Sequence, residues 1–442
     1  MFQAGFARVD VTPQLGTVLT GYFQLRVSDG VLDPIQLNAL AVSEGEDTVL
    51  VITGDFMYMV ERDVTRYRNL ISQELGIPAD HILMQVLHQH TSTTGGYSGP
   101  TDATYKSFLE RKYVDVARMA LEDRGEARVS IAQKETAEPV SFIRRYRMKD
   151  GSVKTNPGYL NPDIDYPLGE ADNTVRLVKF QREGKEDIAL VNFQTHPDVI
   201  GGNKFSADWP GFVRRMTEKD IPDTHCILVN GCQGDTNHCD FSKPAIAKKD
   251  DPLIREKRYA NSRRMGRIIT DAVVKIWDQT EEIPAGKISA AVEMKRIPSN
   301  TSGIERLEEC IELHQKITSG APLDVKLNMA EKGEVRRIAN MENVTLVQKV
   351  PVSMVAFGKV AIIGYGGEPF TEYATLVREA VPELFVLSAC LANGAQGYLP
   401  SAAAFAEGGY EARTTNFTEV TAPTLQSAAI RMLKDHAEAK GE

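Results

Sequence analysis

Short apolar runs bounded by turn residues alternate along the chain with longer segments in which apolar residues recur every three or four positions. Runs such as Ile82–Leu87 and Ile188–Phe193 are typical of buried strands, whereas Glu61–Leu75 has the periodicity of an amphipathic helix. This alternation predicts an α/β fold with mixed β-sheets flanked by helices. The predicted strands are residues 6–11, 34–42, 48–53, 82–87, 127–132, 174–180, 188–193, 226–229, 287–294, 352–357, 360–364 and 384–387. The predicted helices are residues 61–75, 103–123, 209–219, 253–277, 303–318, 369–380 and 418–437.

One segment departs from this alternation. From about Pro298 to Asn343 the chain is rich in charged residues, and Ile304, Leu307 and Ile311 follow a helical spacing. We expect a helical insertion over residues 298–343. A length of 442 residues allows two or three domains or one large α/β domain. No internal repeat or low-complexity linker divides the chain, and we expect a single domain over residues 1–442.

Composition excludes several classes of function. A net charge of -9 without a concentrated basic surface argues against nucleic acid as a partner. No stretch approaches the roughly 20 apolar residues that cross a bilayer, and the first residues lack the basic and apolar regions of a signal peptide. We expect a cytoplasmic protein, or a secreted one if a leader has been trimmed. The sequence predicts no particular oligomeric state. Five cysteines form no disulfide framework. Cys232 and Cys239 flank His238, which allows a thiolate zinc site, although buried thiols explain them more simply.

Loops rich in glycine and small polar residues follow five of the apolar strands. They begin after Leu87, Phe193, Val229, Ile363 and Leu391. Loops beyond the carboxyl ends of strands are where α/β folds build their sites. We therefore expect the functional site at these strand ends.

Histidines at two of these strand ends are the strongest chemical signal in the chain. The pair His88 and His90 follows one apolar run, and His196 follows another, in a chain with eight histidines. Side chains two apart on a strand point to the same face, so both imidazoles of the pair can reach one point. Imidazole is the commonest metal ligand, and catalytic zinc usually has three protein ligands. Glu368 follows three glycines that let its carboxylate approach an ion, while His90 can act as a base or a donor.

The ordered set of motifs resembles the neutral/alkaline, non-lysosomal ceramidase family. The matching segments are Val9 to Pro13 with Gly21-Tyr22, His88-Gln89-His90-Thr91 with Gly95-Gly96-Tyr97, Asn192 to Pro197, Gly231 to Asp235 and Gly367 to Thr371. The resemblance extends from about residue 4 to about residue 435 and implies the catalytic domain of that family. It implies a zinc-dependent amidohydrolase of sphingolipid metabolism that cleaves carbon–nitrogen bonds other than peptide bonds.

The resemblance also implies roles for particular residues. It implies that His88, His196, Glu368 and Tyr398 bind Zn²⁺ and that His90 acts as acid or base. Tyr398 matches through Gly397-Tyr398-Leu399-Pro400, and Tyr410 matches a second active-site tyrosine. Arg144 falls where the family has an arginine after an asparagine, although Ile143 replaces that asparagine here. We expect Tyr410 and Arg144 to position or stabilise the oxyanion.

Departures from the family pattern bear on the substrate. The family serine in the loop after Gly234-Asp235 is absent, because Thr236 and Asn237 follow. The family's secretion signal and C-terminal immunoglobulin-like domain have no counterpart in these 442 residues. Three hypotheses follow: a zinc hydrolase of an N-acyl lipid amide, a zinc hydrolase of a small polar or carbohydrate-derived amide, ester or lactone, and a non-catalytic binding protein with a vestigial site.

Taken singly, each candidate residue also has a simpler explanation. A strand-end histidine is commonly a capped or solvated residue, and Glu368 could be an acid stabilised by the helix that starts near Pro369. Tyr398 could be a half-buried aromatic, and Arg144 a surface ion pair. Asp55 and Asp235 follow apolar runs, where they could orient metal ligands or cap loops.

Overall fold

A nine-stranded mixed sheet is the larger of two main sheets in the computed structural model, which describes residues 1–343 and 345–438. Residue 344 and residues 439–442 of the predicted domain lie outside the described residues. The strands of this sheet are β1 (Phe2–Asp10), β2 (Gln36–Glu44), β3 (Asp47–Gly54), β4 (Ile82–Val86), β5 (Gly125–Glu135), β6 (Thr174–Arg182), β7 (Asp187–Phe193), β8 (Thr224–Asn230) and β9 (Glu281–Ile283). Their order is β8-β7-β6-β5-β1-β2-β3-β4, with β9 paired to β5.

The second main sheet has four strands in the order β10-β11-β12-β13. They are β10 (Ile288–Pro298), β11 (Val347–Phe357), β12 (Val360–Tyr365) and β13 (Phe385–Ala389). The pairs β3 with β4, β7 with β8 and β12 with β13 are parallel, and the other pairs of the two sheets are antiparallel. Both sheets are therefore mixed, as the sequence predicts.

Ten α-helices are present in the described residues, and several of them cover the outer faces of the sheets. They are α1 (Glu61–Leu75), α2 (Ala103–Glu122), α3 (Asp208–Asp220), α4 (Ile254–Ile276), α5 (Leu307–Ser319), α6 (Met329–Ala339), α7 (Thr371–Ala380), α8 (Ala402–Glu407), α9 (Tyr410–Thr414) and α10 (Thr421–Glu438). None of the helices in the described residues is long and apolar enough to pass through a membrane. Flanking helices and mixed sheets together confirm the predicted fold class.

Alternation along the strands creates one core between the sheets and others beneath the helices. In β2, Leu37, Ala39 and Ala41 pack under α1 and α2, while Leu40 and Val42 face the central core shared with the four-stranded sheet. Helices α3 and α4 cover β6, β7 and β8, and helices α7 and α10 cover the four-stranded sheet. Period-two alternation thus lets a central strand such as β2 bury both of its faces.

The predicted insertion is helical and consists mainly of α5 and α6. Its own small core includes Cys310, Ile317, Val335 and Ile338. Helix α6 begins with a capping box, in which the Asn328 side chain accepts a hydrogen bond from the backbone N–H of Glu331 and the Glu331 side chain accepts one from Asn328.

Short strands of two to four residues complete the described elements. They are Val18–Leu19, Arg26–Val27, Gly30–Val31, Phe142–Ile143, Arg145–Met148, Val153–Thr155, Ile164–Pro167, Lys204–Phe205, Thr236–Asn237, Glu368–Pro369 and Tyr398–Leu399.

Hydrogen bonds bring the ends of the predicted site-bearing strands together. The Gln85 side chain of β4 donates to the backbone carbonyls of Asn230 at 2.6 Å and of Cys390 at 2.8 Å. The Asn192 side chain of β7 donates to the carbonyl of Ser388 at 3.0 Å. The loops that follow β4, β7, β8 and β13 are therefore neighbours in space.

Candidate metal centre and active site

Three buried side chains from distant parts of the chain converge on one point. The Glu368 Oε2 atom lies 3.3 Å from the Nε2 atom of His88 and 3.3 Å from the Nε2 atom of His196. Each of the three residues is less than 10% exposed. A tetrahedral zinc ion with bonds of about 2.0–2.1 Å holds its donor atoms about 3.3–3.4 Å apart, so this spacing fits a metal site.

The other ring nitrogens of the two histidines determine which atoms face Glu368. His88 Nδ1 lies 2.8 Å from the carbonyl oxygen of Met57, and His196 Nδ1 lies 3.1 Å from that of Gln233. A carbonyl oxygen only accepts, so each Nδ1 carries the hydrogen and each Nε2 of a neutral ring presents a lone pair. Glu368 Oε2 has no hydrogen-bond partner. Three electron-pair donors therefore face one another, an arrangement that a shared cation stabilises.

Burial and neighbouring charge set the ionisation of this group. Burial, followed by the guanidinium of Arg144, lowers the pKa of His196 to about 4, so that its ring is neutral at pH 7. Burial alone would raise the pKa of Glu368, but His88 and His196 outweigh it and hold that pKa well below its usual value. His196 and Glu368 thus present a neutral imidazole and a carboxylate, the forms of these two groups that bind a cation.

The backbone at His88 differs from the sequence prediction. Strand β4 ends at Val86, and His88 has a φ of 78°, in the left-handed region that non-glycine residues rarely adopt. The expectation that His88 and His90 point to one face because they alternate on a strand is therefore wrong. A turn brings the two rings together instead, with centroids 4.9 Å apart.

A buried ion pair between Asp55 and Arg214 stabilises this turn. The Gln89 side chain donates to Asp55 Oδ1 at 3.0 Å, and Arg214 donates to both oxygens of Asp55, at 2.9 and 2.6 Å. All three side chains are nearly inaccessible to solvent. Asp55 therefore anchors the residue between the two histidines, which agrees with an orienting role.

Close backbone packing places Glu368 beside Tyr398. The two residues are paired in a short parallel bridge, and the Glu368 N–H donates to the carbonyl of Gly397 at 2.9 Å. A Cβ atom at Gly367 would lie 2.5 Å from that same carbonyl oxygen, and one at Gly234 would lie 2.3 Å from the carbonyl oxygen of Glu368. Only glycine fits at these two positions.

His90 completes a group of three histidines whose nitrogen atoms lie within 4.8 Å of one another and could hold a metal ion. Neither ring nitrogen of His90 has a hydrogen-bond partner, and its Nδ1 atom is 3.7 Å from Asp198 Oδ1. The Tyr22 hydroxyl donates to the same Asp198 oxygen, and the Tyr22 ring packs against that of His90. Burial, followed by repulsion from His88 and His196, holds the pKa of His90 well below its usual value.

Arg144 and the two candidate tyrosines adjoin the same centre. Arg144 Nη1 lies 3.4 Å from His196 Nε2, and its Nε donates to the fully buried Glu411 at 2.7 Å. Arg144 Nη2 is buried without a hydrogen-bond partner. The guanidinium lies 5.2 Å from the ring centre of Tyr398, which is 5.6 Å from that of Tyr410. Arg144 is therefore buried and is not a surface ion pair.

Asp235 connects the loop after β8 to helix α7. Its Oδ1 atom accepts hydrogen bonds from the backbone N–H and the hydroxyl of Thr371, both at 2.9 Å, and its carbonyl oxygen accepts one from the Arg144 N–H at 2.9 Å. Burial raises the pKa of Asp235 to about 6. Asp235 thus caps α7, which begins at Thr371 two residues after the predicted start, and also holds the Arg144 backbone.

A polar cavity of about 390 Å³ opens in front of these residues. Its wall includes His88, His90, Glu368, Tyr398 and Tyr410. Arg336, Arg337 and Asn340 of the insertion also contribute to the wall, as do Tyr22 and Tyr58. The sequence indicated a helical insertion but gave no sign that it borders the site. The chain thus brings together all seven predicted site residues, and Asp198, Arg336 and Glu411 are neighbours that sequence reasoning missed. Tyr22 stood only in a matching motif, without a predicted role.

The cysteines form no second metal site of the kind weighed from the sequence. All five are free, and Cys232 is buried in the core beneath α7. Cys239 Sγ lies 3.5 Å from His238 Nε2, without a second thiol.

The site lies in an α/β fold, where two imidazoles and a carboxylate that converge at strand ends form a donor set that could hold a metal ion. No protein-family model and no curated protein sequence matches the chain. Solved structures do match it, and two of them are ceramidases. Neutral ceramidase from Pseudomonas aeruginosa aligns over 98% of this chain and 75% of its own, with 15% identity and a TM-score of 0.72. A ceramidase complexed with C2 aligns over 99% of this chain and 75% of its own, with 14% identity and a TM-score of 0.73.

The chain therefore has a neutral ceramidase-like fold. This confirms the resemblance drawn from the ordered motifs at the level of the fold. At this identity the likeness does not extend to the reaction or the substrate, which rest on the chemistry of the chain's own residues.

Proposed function

We propose that this protein is a zinc-dependent hydrolase of N-acyl amides. It cleaves their carbon–nitrogen bond, which is not a peptide bond. The observation that carries the proposal is the convergence of His88 Nε2, His196 Nε2 and Glu368 Oε2 at 3.3 Å, with both Nδ1 atoms directed at backbone carbonyls. We assign these three residues and Tyr398 as the zinc ligands. Zinc bound there would lower the pKa of a water molecule toward about 7 and polarise the scissile carbonyl.

His90 is the proposed acid and base. Its ring is on the cavity wall, both of its nitrogens lack a hydrogen-bond partner, and its lowered pKa keeps it neutral at pH 7. A neutral imidazole can accept a proton from the attacking water and return it to the leaving amine. Tyr22 and Asp198 position the ring. In the alternative assignment, in which all three histidines bind the metal, His90 would be a ligand.

Arg144 and Tyr410 are the proposed oxyanion-stabilising residues. Arg144 has a buried Nη2 donor without a partner and is fixed by Glu411. Its positive charge beside His196 suits a developing negative charge on the substrate oxygen. Tyr410 presents its ring at the cavity wall next to Tyr398, where its hydroxyl is the candidate second donor.

Two substrate classes are compatible with this centre. The two structural neighbours are ceramidases, which favours a lipid amide. The lining of the cavity favours the second class, a small polar amide, ester or lactone. Three aliphatic or thioether side chains, Met57, Leu391 and Ala395, are on the described wall, and its other apolar surface is that of four tyrosine rings, each of which also carries a polar hydroxyl. A long acyl chain gains its affinity from contact with apolar surface, which this wall offers sparingly.

Metal analysis combined with a panel of substrates tests the proposal. The protein should contain one zinc per chain and hydrolyse N-acyl amides, and the rate as a function of acyl length should separate the two classes. A rate that rises from acetyl to palmitoyl indicates a lipid amide, and one that falls indicates a small substrate. Zinc-free protein that turns over no amide, ester or lactone after zinc is added would identify a non-catalytic binding protein instead.

A further inference from the structure

Helix α6 of the insertion is fixed rigidly over the active-site cavity. A Cβ atom at Gly333 would lie 2.1 Å from Thr414 Cγ2 and 2.8 Å from Tyr410 Cε2, so the helix backbone packs directly against Tyr410. Arg337 ties the helix down through hydrogen bonds to the carbonyls of Arg413 at 2.9 Å, Asn300 at 3.0 Å and Ser302 at 3.0 Å. A side chain carried by this helix therefore has a defined position relative to the candidate catalytic residues.

Arg336 is the neighbour of Arg337 on the same helix and has a different environment. It is exposed to solvent on the cavity wall, with its guanidinium 5.4 Å from the centre of the Phe23 ring. Among the described residues no carboxylate or hydrogen-bond acceptor pairs with it. Its charge is felt by Tyr58 and Tyr410, whose pKa values it lowers against the stronger opposite effect of burial.

The charge distribution around the cavity is unusual for an acidic chain. The one carboxylate on the described wall is that of Glu368, which faces His88 and His196. The guanidinium of Arg336 is thus left without a counter-ion, in a protein whose net charge is -9. Arginine pairs with carboxylates through two parallel hydrogen bonds, so such a group suits a carboxylate on a ligand.

We propose that Arg336 is a specificity-determining residue that binds a carboxylate group of the substrate. This inference rests on the proposed function and narrows its substrate to an N-acyl amide that carries a carboxylate. The carboxylate belongs either to the amine part, as in an N-acyl amino acid, or to the acyl part, as in an amide of a dicarboxylic acid. A substrate that is held only by apolar contacts would need a carboxylate at neither position.

Matched substrate pairs test the proposal on the full-length, zinc-loaded protein. N-hexanoylglycine and N-hexanoylglycinamide differ only in the carboxylate on the amine side. N-butylsuccinamic acid and N-butylsuccinamide differ only in the carboxylate on the acyl side. We expect kcat/KM to favour the acid of one pair at least tenfold. Arg336→Gln should remove that preference by lowering kcat/KM for the acid at least tenfold, with a change below threefold for the neutral amide. Arg336→Lys keeps the charge but not the paired donors, so its kcat/KM for the acid should lie between those of the wild type and Arg336→Gln.

A control variant and a binding measurement keep the outcomes distinct. Lys332 is on the same helix and is not on the cavity wall, so Lys332→Gln removes one positive charge and should behave as the wild type. Calorimetric binding of the same four compounds is measured in parallel. Arg336-dependent binding of an acid without turnover supports the carboxylate site and refutes the hydrolase. Turnover or binding that does not distinguish acid from amide, or that Arg336→Gln leaves unchanged, overturns the carboxylate site and leaves the hydrolase proposal standing. Failure of all four compounds to bind also overturns the carboxylate site.

Discussion

The roles assigned to His88 and His90 predict effects of very different size on zinc affinity when each is replaced by alanine. His88 Nε2 is 3.3 Å from Glu368 Oε2, which is the donor spacing of a zinc site. Structural zinc sites with four ligands bind with about 10–16 kcal/mol, which averages about 2.5–4 kcal/mol for each ligand. His88→Ala should therefore weaken zinc binding by on the order of 10²–10³-fold. His90→Ala should change it less than tenfold while abolishing turnover.

Competition with a chromophoric zinc chelator measures these affinities, and elemental analysis after dialysis measures the zinc retained. His81 provides a matched control because it lies just before the amino end of β4, whereas His88 follows the carboxyl end of that strand. His81→Ala should keep both zinc and activity. Thermal unfolding of each variant establishes that it is folded.

Loss of zinc from His90→Ala equal to the loss from His88→Ala would contradict the assignment. The ligand set would then be the three histidines, and the acid or base would have to be another residue. Full zinc retention by both variants would refute the metal centre itself.

Further perturbations probe the surroundings of the centre. Glu411→Gln leaves the buried guanidinium of Arg144 without its charge partner, so the free energy of unfolding in urea should fall by about 3–5 kcal/mol; an unchanged midpoint would contradict this. Tyr398→Phe should weaken zinc binding less than His88→Ala, because burial raises the pKa of its phenol well above the usual value and a neutral phenol is a weak ligand; equal losses would show a phenolate bond. Burial raises the pKa of Asp235 to about 6 from a usual 3.8, so the folded state holds more protons than the unfolded state between these values and stability should fall by up to about 3 kcal/mol as pH rises from 4 to 6. Asp235→Asn should remove that dependence, and a variant with the wild-type pH profile would refute it.

The regular elements were predictable because their signals are local. Helix α1 has the predicted bounds Glu61–Leu75, since its apolar periodicity ends at Gly76, which adopts a left-handed conformation that favours glycine. The apolar runs of β4 and β7 were predicted within one residue for the same reason. Two-residue strands such as Glu368–Pro369 have no periodicity of their own and arise only when distant segments meet.

The residues of the candidate site could be proposed from the sequence, but the groups that orient them could not. The imidazoles and carboxylate stand out by chemistry and by position at strand ends, and the family resemblance grouped them. The groups that orient them are backbone carbonyls of Met57 and Gln233, which no sequence pattern distinguishes. The left-handed backbone at His88 likewise depends on tertiary contacts rather than on residue type.

The architecture separates the proposed chemistry from the proposed recognition. The candidate zinc ligands and His90 come from strand-end segments and the short strands beside them, whereas Arg336 comes from helix α6. Close packing of α6 on Tyr410 joins the two parts, because a larger residue at Gly333 must displace either the helix or the tyrosine. Changes in the insertion should then alter which amide is cleaved without altering zinc content.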